Sequence, residues 1–230
     1  MNFTVVGVGP GDPELVTLKA LRAIKEADVV LIPHSPRGKF SVAEHIVRAN
    51  LPEVKTTPIT FPMLTDANER KKFLINELNE IADTWRGANN IVLPVIGDSS
   101  LYATGSYLFD AWKKIVPDLK LSLVPGISAH QLAASRIGAF IAMGEDIFSV
   151  IPGIDDRRGI VDALRHADSA ALYKPCILKD DLAAVVSEAG PWRRMVRIDR
   201  TGLADEKIYE GDAALTRAEE YLSILLLWRR

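Results

Sequence analysis

Short apolar runs alternate with segments of helical periodicity along the chain, and glycine turns separate them. Phe3–Val8, Val29–Ile32 and Ile91–Ile96 are short, mostly apolar runs of the kind that forms buried parallel strands, and Val29–Ile32 is unbroken. Between the first two runs, Glu14–Glu26 places leucine and isoleucine at helical spacing. The order of strand, glycine turn, helix and strand is typical of a βαβ unit, and it predicts an α/β fold.

The alternation continues through the second half of the chain. Further helices are predicted at 42–49, 66–85, 102–115, 128–137, 157–166 and 178–189, and further strands at 119–124, 148–151, 170–173, 195–198 and 221–228. The last strand follows a polar loop, and we expect it to insert late into a sheet. The break at Pro117-Asp118 predicts a boundary between one α/β domain at 1–117 and a second at 118–230.

Composition and charge exclude several classes of function. The 230 residues carry a net charge of −2, so no overall positive field attracts nucleic acid or an acidic membrane. Cys176 is the only cysteine, which excludes an internal disulfide and a cysteine-based zinc site, and the four histidines lack the spacing of a metal-binding helix. The sequence shows no signal peptide or membrane span, so we predict a cytoplasmic protein without a bound metal.

Three glycine-bearing turns follow predicted strands, at the strand ends where open α/β sheets bind ligands. They are Val8–Asp12, Gly97-Asp98 and Val124–Ser128. Glycine lets a backbone approach a ligand closely, although each turn taken alone could be purely structural. A dinucleotide fingerprint is disfavoured because Asp12 occupies the place of its third glycine. Together, the turns predict a ligand cleft between two domains.

These motifs resemble those of the tetrapyrrole (cobalamin and sirohaem) methylase family, and the resemblance runs through essentially the whole chain. Val6–Leu21, which contains Gly-Val-Gly-Pro-Gly-Asp-Pro, is similar to the family's opening motif. Gly97–Thr104 resembles its second motif, with Ser99 in place of the usual proline, and Val124–Ala129 resembles its third. The resemblance implies two α/β domains, a homodimer, and S-adenosylmethionine bound in a folded conformation in the cleft between the domains.

Within the family, the sequence looks most like the enzymes that methylate precorrin-2 or cobalt-factor II at C20 in cobalamin biosynthesis. Phe61–Met63, Leu101–Leu108 and Tyr221–Ser223 carry this similarity. Pro33 and His34 stand where the uroporphyrinogen-methylating branch has an aspartate, which weakens that alternative. The remaining alternatives are a C11 or C17 precorrin methylase, the uroporphyrinogen III methyltransferase, a diphthamide-type methylase acting on protein, and a tetrapyrrole carrier without activity.

The resemblance also implies the residues of the site. The family's cofactor contacts correspond to Pro10, Gly97, Asp98, Leu101, Ser128, Ala129, Tyr173 and Gly202. Met63 is a candidate substrate contact, and Lys174 is a candidate for proton handling or substrate binding. Arg37 and Lys39 are suitable partners for the substrate's carboxylates, whereas Arg70–Lys72 on the long helix is interpreted as a solvated face.

Methyl transfer from a sulfonium needs alignment and exclusion of water more than acid–base help. We therefore expect no catalytic triad, and the sequence contains no motif for one.

Overall fold

The computed structural model describes residues 1–36 and 41–230. The chain divides into two compact units, Met1–Ser128 and Ala129–Arg230. Each unit contains a five-stranded sheet with helices packed on both faces. The α/β fold with two sheets that the sequence predicted is confirmed.

The first unit follows a βα alternation throughout. Its strands are β1 (Asn2–Gly7), β2 (Val29–His34), β3 (Thr57–Thr60), β4 (Asn90–Val95) and β5 (Lys120–Val124). Its helices are α1 (Leu18–Lys25), α2 (Val42–Asn50), α3 (Ala67–Glu80), α4 (Ala82–Trp85) and α5 (Gly105–Trp112). The strand order is β3-β2-β4-β1-β5 and every pair is parallel.

Alternate side chains of this parallel sheet enter two separate apolar cores. Phe3 and Leu93 face a core formed with α3, α4 and α5, which includes Trp112. Val6 and Val92 face a second core formed with α1 and α2. Burial on both faces explains why the sequences of these strands are mostly apolar and do not alternate between apolar and polar residues.

The second unit has a mixed sheet. Its strands are β6 (Phe148–Pro152), β7 (Ser169–Tyr173), β8 (Arg194–Asp199), β9 (Lys207–Glu210) and β10 (Ser223–Trp228), and its helices are α6 (Ala129–Arg136), α7 (Arg157–Arg165) and α8 (Leu182–Ala189). The order is β6-β7-β10-β8-β9. β10 runs antiparallel to both of its neighbours, and it lies between β7 and β8. The late insertion predicted for the last strand is therefore confirmed.

The described structure differs from the sequence predictions at several boundaries. β5 pairs with β1, so the first unit extends past the boundary predicted at 117/118. The helix predicted at 66–85 divides into α3 and α4. Asp66 caps the start of α3, because its carboxylate accepts a hydrogen bond from the Glu69 N–H. Sequence reasoning missed β3 and β9, which are only four residues long and are partly exposed.

Candidate functional site

The topology of the first sheet brings the three glycine turns together. β4, β1 and β5 are neighbours in the sheet and run parallel, so their carboxyl ends share one edge. We call this the carboxyl edge of the first sheet. Gly9 follows β1, Gly97 follows β4 and Gly126 follows β5. Residues far apart in sequence thus meet at the end of the sheet where α/β proteins bind ligands.

The turns interlock through backbone contacts that only glycine allows. Gly9 and Gly97 exchange two hydrogen bonds, with N···O distances of 3.2 and 2.7 Å. A Cβ at Gly7 would lie 2.6 Å from the Gly97 carbonyl oxygen and 2.7 Å from the Gly126 nitrogen. A Cβ at Gly126 would overlap the same carbonyl oxygen. The motif glycines therefore allow the turns to pack against one another. From the sequence alone, this structural role could not be distinguished from close approach of the backbone to a ligand.

Asp98 provides the side-chain link between two of these turns. One carboxylate oxygen accepts from the backbone N–H of Ser100 at 2.8 Å and from the Ser100 hydroxyl. The other accepts from the Gly126 N–H at 2.9 Å. Partial burial raises the pKa of Asp98, but these hydrogen bonds lower it by more, so the net pKa lies below its ordinary value. The carboxylate is thus held ionised, and a direct role in cofactor binding stays a prediction.

The surroundings of Gly97 are compatible with a ligand that approaches the backbone. Gly97 has φ of +74°, and a Cβ placed there would meet nothing within 4 Å. Pro10 and Ser128 are buried beside this edge, while Leu101 is half-buried. Open space next to rigid backbone, with apolar and polar groups nearby, suits an adenosyl group, which presents both an aromatic face and hydroxyls.

In the second unit, the residues predicted to contact the cofactor lie near the end of β7 or follow β8. Ala129 begins α6, Tyr173 ends β7, and Gly202 lies in the turn after β8 with φ of +81°. Lys174 follows Tyr173 in the left-handed conformation, and its Nζ lies 4.7 Å from the centroid of the Tyr221 ring. The role of Lys174 in proton handling stays a prediction.

His130 forms a contact that sequence reasoning missed. Its Nδ1 lies 2.7 Å from the Tyr173 hydroxyl, and its backbone N–H donates to the same oxygen at 3.3 Å. Burial lowers the pKa of His130, so the ring is neutral at pH 7. In the sequence, only its position directly after Ala129 could have singled out this histidine.

The structure describes one of the three residues that were predicted to contact the substrate. Met63 follows β3 and its side chain is 74% exposed. Phe61, from the same tripeptide, is buried in the core with α3 and α5, so it anchors the loop. Arg37 and Lys39 lie outside the described residues.

The described part of the chain contains neither a cluster suited to a metal ion nor a helix suited to a bilayer. Across residues 1–36 and 41–230, no group of three or more His, Cys, Asp or Glu side chains could hold a metal ion. None of the helices in these ranges combines the length and the apolar character needed to cross a bilayer.

The parallel sheet and its interlocked turns define an α/β protein whose glycine turns lie at the strand ends where such sheets bind ligands. Comparison with known proteins identifies the family. Residues 2–216 match the Tetrapyrrole (Corrin/Porphyrin) Methylases. The chain belongs to this family, and the family predicted from the sequence motifs is confirmed.

Individual relatives are similar to this chain over most of its length. The chain is 27% identical to a probable cobalt-precorrin-2 C(20)-methyltransferase of Methanocaldococcus jannaschii, over 97% of this chain and 94% of the relative. It is 26% identical to the cobalt-precorrin-2 C(20)-methyltransferase of Salmonella typhimurium, over 80% and 77%. Among solved structures, the uroporphyrin-III C-methyl transferase of Thermus thermophilus, complexed with S-adenyl homocysteine, has a TM-score of 0.69 at 19% identity and covers 99% of this chain and 97% of its own.

Proposed function

We propose that the protein transfers a methyl group from S-adenosylmethionine to C20 of precorrin-2 or cobalt-factor II, in the corrin branch of tetrapyrrole synthesis. The observation that carries the proposal is the rigid carboxyl edge of the first sheet, with open space beside Gly97. Two relatives named as C(20)-methyltransferases, which match the chain over most of their length, support the choice of carbon.

The reaction places modest chemical demands on the protein. S-adenosylmethionine supplies a methyl group already activated by its sulfonium. In the transfer, a bond would form between this methyl and C20, the sulfur would keep the electron pair of the broken S–C bond, and the C20 proton would pass to a base or to solvent. What this chain contributes is alignment and exclusion of water. The interlocked glycine turns suit that task because rigid backbone fixes a ligand with little loss of entropy on binding.

We propose that the cofactor contacts implied by the family motifs hold for this chain. In the first unit they are Pro10, Gly97, Asp98, Leu101 and Ser128. Asp98 acts mainly by fixing the turn geometry, because both of its carboxylate oxygens already accept hydrogen bonds from Ser100 and Gly126. Ala129, Tyr173 and Gly202 in the second unit are proposed on the motifs, and Met63 is proposed as a substrate contact.

The homodimer and the cytoplasmic location are also proposals. Leu121 and Leu123 lie on the edge strand β5 and are 41% and 46% exposed. An edge strand with exposed leucines favours pairing with a second copy of the chain. Sedimentation of the wild-type protein and of Leu123→Lys tests this point, because the lysine should shift a dimer towards monomer.

Product analysis tests the proposed reaction. The enzyme is incubated with methyl-labelled S-adenosylmethionine and with precorrin-2 or its cobalt form. We expect one labelled methyl group, at C20, and S-adenosylhomocysteine in equal amount. Label at C11 or C17, or at C2 or C7 of uroporphyrinogen III, would instead assign the chain to another branch of the family. Binding of the ring without turnover and without binding of S-adenosylmethionine would favour a carrier, because a carrier has no need for the methyl donor.

A further inference from the structure

Arg70 lies in the first turn of α3 and is held in a fixed orientation. Its Nη1 donates to the Leu64 carbonyl at 2.8 Å and to the Thr65 carbonyl at 3.4 Å. Its guanidinium carbon lies 4.2 Å from the centroid of the Tyr107 ring, near the start of α5. A flexible side chain is thereby fixed on one side by backbone oxygens and on one face by an aromatic ring.

Arg70 forms no ion pair with any residue that the structure describes, although Asp66 and Glu69 lie on the same turn of the chain. By contrast, Arg48 and Arg157 each form ion pairs. A cation in the first turn of a helix also meets the positive end of the helix dipole, which is unfavourable. Helix stability therefore does not explain the arginine, and its earlier interpretation as part of a solvated face does not account for the contacts that fix it.

The position of Arg70 in the fold points to a ligand. The segment with Leu64 follows β3, and Tyr107 follows the turn after β4, so both lie at the carboxyl edge of the first sheet. Met63 and Tyr107 are 74% and 45% exposed there. A guanidinium whose Nη1 is occupied still has Nε and Nη2 to donate, and these two groups match a carboxylate in the fork geometry.

We propose that Arg70, oriented by Tyr107 and by the Leu64 carbonyl, binds a peripheral carboxylate of the tetrapyrrole substrate, with Met63 in contact with the edge of the ring. The proposal rests on the proposed function for the class of substrate, an apolar ring with carboxylate side chains. It adds a residue that determines substrate binding, and it places one carboxylate of the substrate on the β3 side of the carboxyl edge.

Equilibrium binding of uroporphyrin III, a stable polycarboxylate ring, tests the subsite without requiring turnover. Absorbance titrations compare wild type, Arg70→Ala and Arg70→Gln at low and high salt. We expect both variants to bind the ring at least about tenfold more weakly, the factor that loss of one charge-assisted hydrogen bond produces. Their salt dependence should be flatter, because one ionic contact is missing. S-adenosylhomocysteine should bind as in wild type.

Lys72→Ala is the matched control, because it removes the same charge from an exposed position of the same helix. Arg70→Gln keeps a donor for the Leu64 carbonyl, so it separates loss of charge from displacement of the loop. Wild-type affinity in Arg70→Gln, or an equal loss in Lys72→Ala, would overturn the subsite. Methylation at a carbon other than C20 would overturn the proposed function and leave an Arg70-dependent binding of the ring intact, so the two failures are distinguishable.

Discussion

Asp98 and Asp199 both lie at or near the end of a strand, yet their pKa values shift in opposite directions. Asp98 follows the parallel strand β4, and hydrogen bonds that outweigh the effect of its partial burial lower its pKa. Asp199 ends β8, is buried, and has a raised pKa, since burial outweighs the nearby Arg197. In the parallel sheet the strand ends lie at one edge, where N–H groups of the turns stabilise the Asp98 carboxylate by hydrogen bonding. In the mixed sheet the charged residues Arg197 and Asp199 are buried.

The buried charges of the second sheet form a pair on one face of β8. Arg197 Nε lies 3.2 Å from the Asp199 carboxylate, and the arginine side chain is 3% exposed. The guanidinium also donates to the carbonyls of Ala214 and Thr216. Backbone contacts hold the turns of the first unit together, whereas a desolvated ion pair lies within the sheet of the second unit. Substitutions in each sheet measure this difference.

The largest effect is expected for Arg197→Met. The substitution leaves the Asp199 carboxylate buried without its partner, and breaking a buried pair in this way costs about 3–5 kcal/mol of unfolding free energy. Urea unfolding at pH 7 measures the loss. Arg194→Met is the control, because Arg194 is exposed on the same strand and its contact with Glu210 is a surface one at 3.8 Å. The control should change stability by less than about 1 kcal/mol.

The same variant should depend on pH in a defined direction. Burial raises the pKa of Asp199 above its ordinary value of 3.8, and removal of Arg197 raises it further. The folded state then holds the proton more tightly than the unfolded chain, so stability falls as pH rises from 3.8 through the folded pKa. The deficit of Arg197→Met relative to wild type should therefore be smaller at pH 5 than at pH 7. An equal deficit at both pH values would show that Asp199 is not the group left unpaired.

An intermediate effect is expected for Gly126→Ala in the first sheet. The added Cβ overlaps the Gly97 carbonyl and lies 2.8 Å from the Gly7 Cα, and backbone atoms cannot move aside as a side chain would. We expect a loss of about 3 kcal/mol, at the upper end of the range for overpacking. Gly138→Ala is the control, because it introduces backbone strain without a clash. Gly138 has φ of +58° and open space around it. The control should lose only about 1–2 kcal/mol.

The smallest of the three effects is expected for Asp98→Asn. The amide oxygen still accepts at one turn, but the NH2 group only donates and cannot accept at the other, so the link to Ser100 or Gly126 is lost at a cost of about 1–3 kcal/mol. Calorimetric titration with S-adenosylhomocysteine should show weaker binding, because the turn around Gly97 is less rigid. Unchanged stability would contradict the linking role, and unchanged affinity in a stable variant would remove Asp98 from the proposed site.

The Asp98 variant should also show the pH dependence opposite to that of the Arg197 variant. Hydrogen bonding lowers the folded pKa of Asp98 below 3.8, so its contribution to stability is present above pH 3.8 and is lost as pH falls through the folded value. The difference between wild type and Asp98→Asn should therefore shrink in acid below about pH 4.

Much of the fold was readable from the sequence because parallel strands buried on both faces have a distinctive pattern. β1, β2 and β4 are mostly apolar, and the motif glycines Gly9 and Gly97 follow β1 and β4. β3 and β9 gave no such pattern, since each is short and partly exposed. The domain boundary at 117/118 was placed on a proline break, but strand pairing with β1 decides where β5 belongs.

The sequence by itself determined the alternation of elements, the three glycine turns and the motifs that assign the family. Local patterning carries that information because each element buries its own apolar face. Only the tertiary structure decided which groups meet: Gly7 with Gly126, Asp98 with the N–H of Gly126, and Arg70 with Tyr107. These contacts join residues that are distant along the chain, and they depend on strand order, which periodicity does not encode.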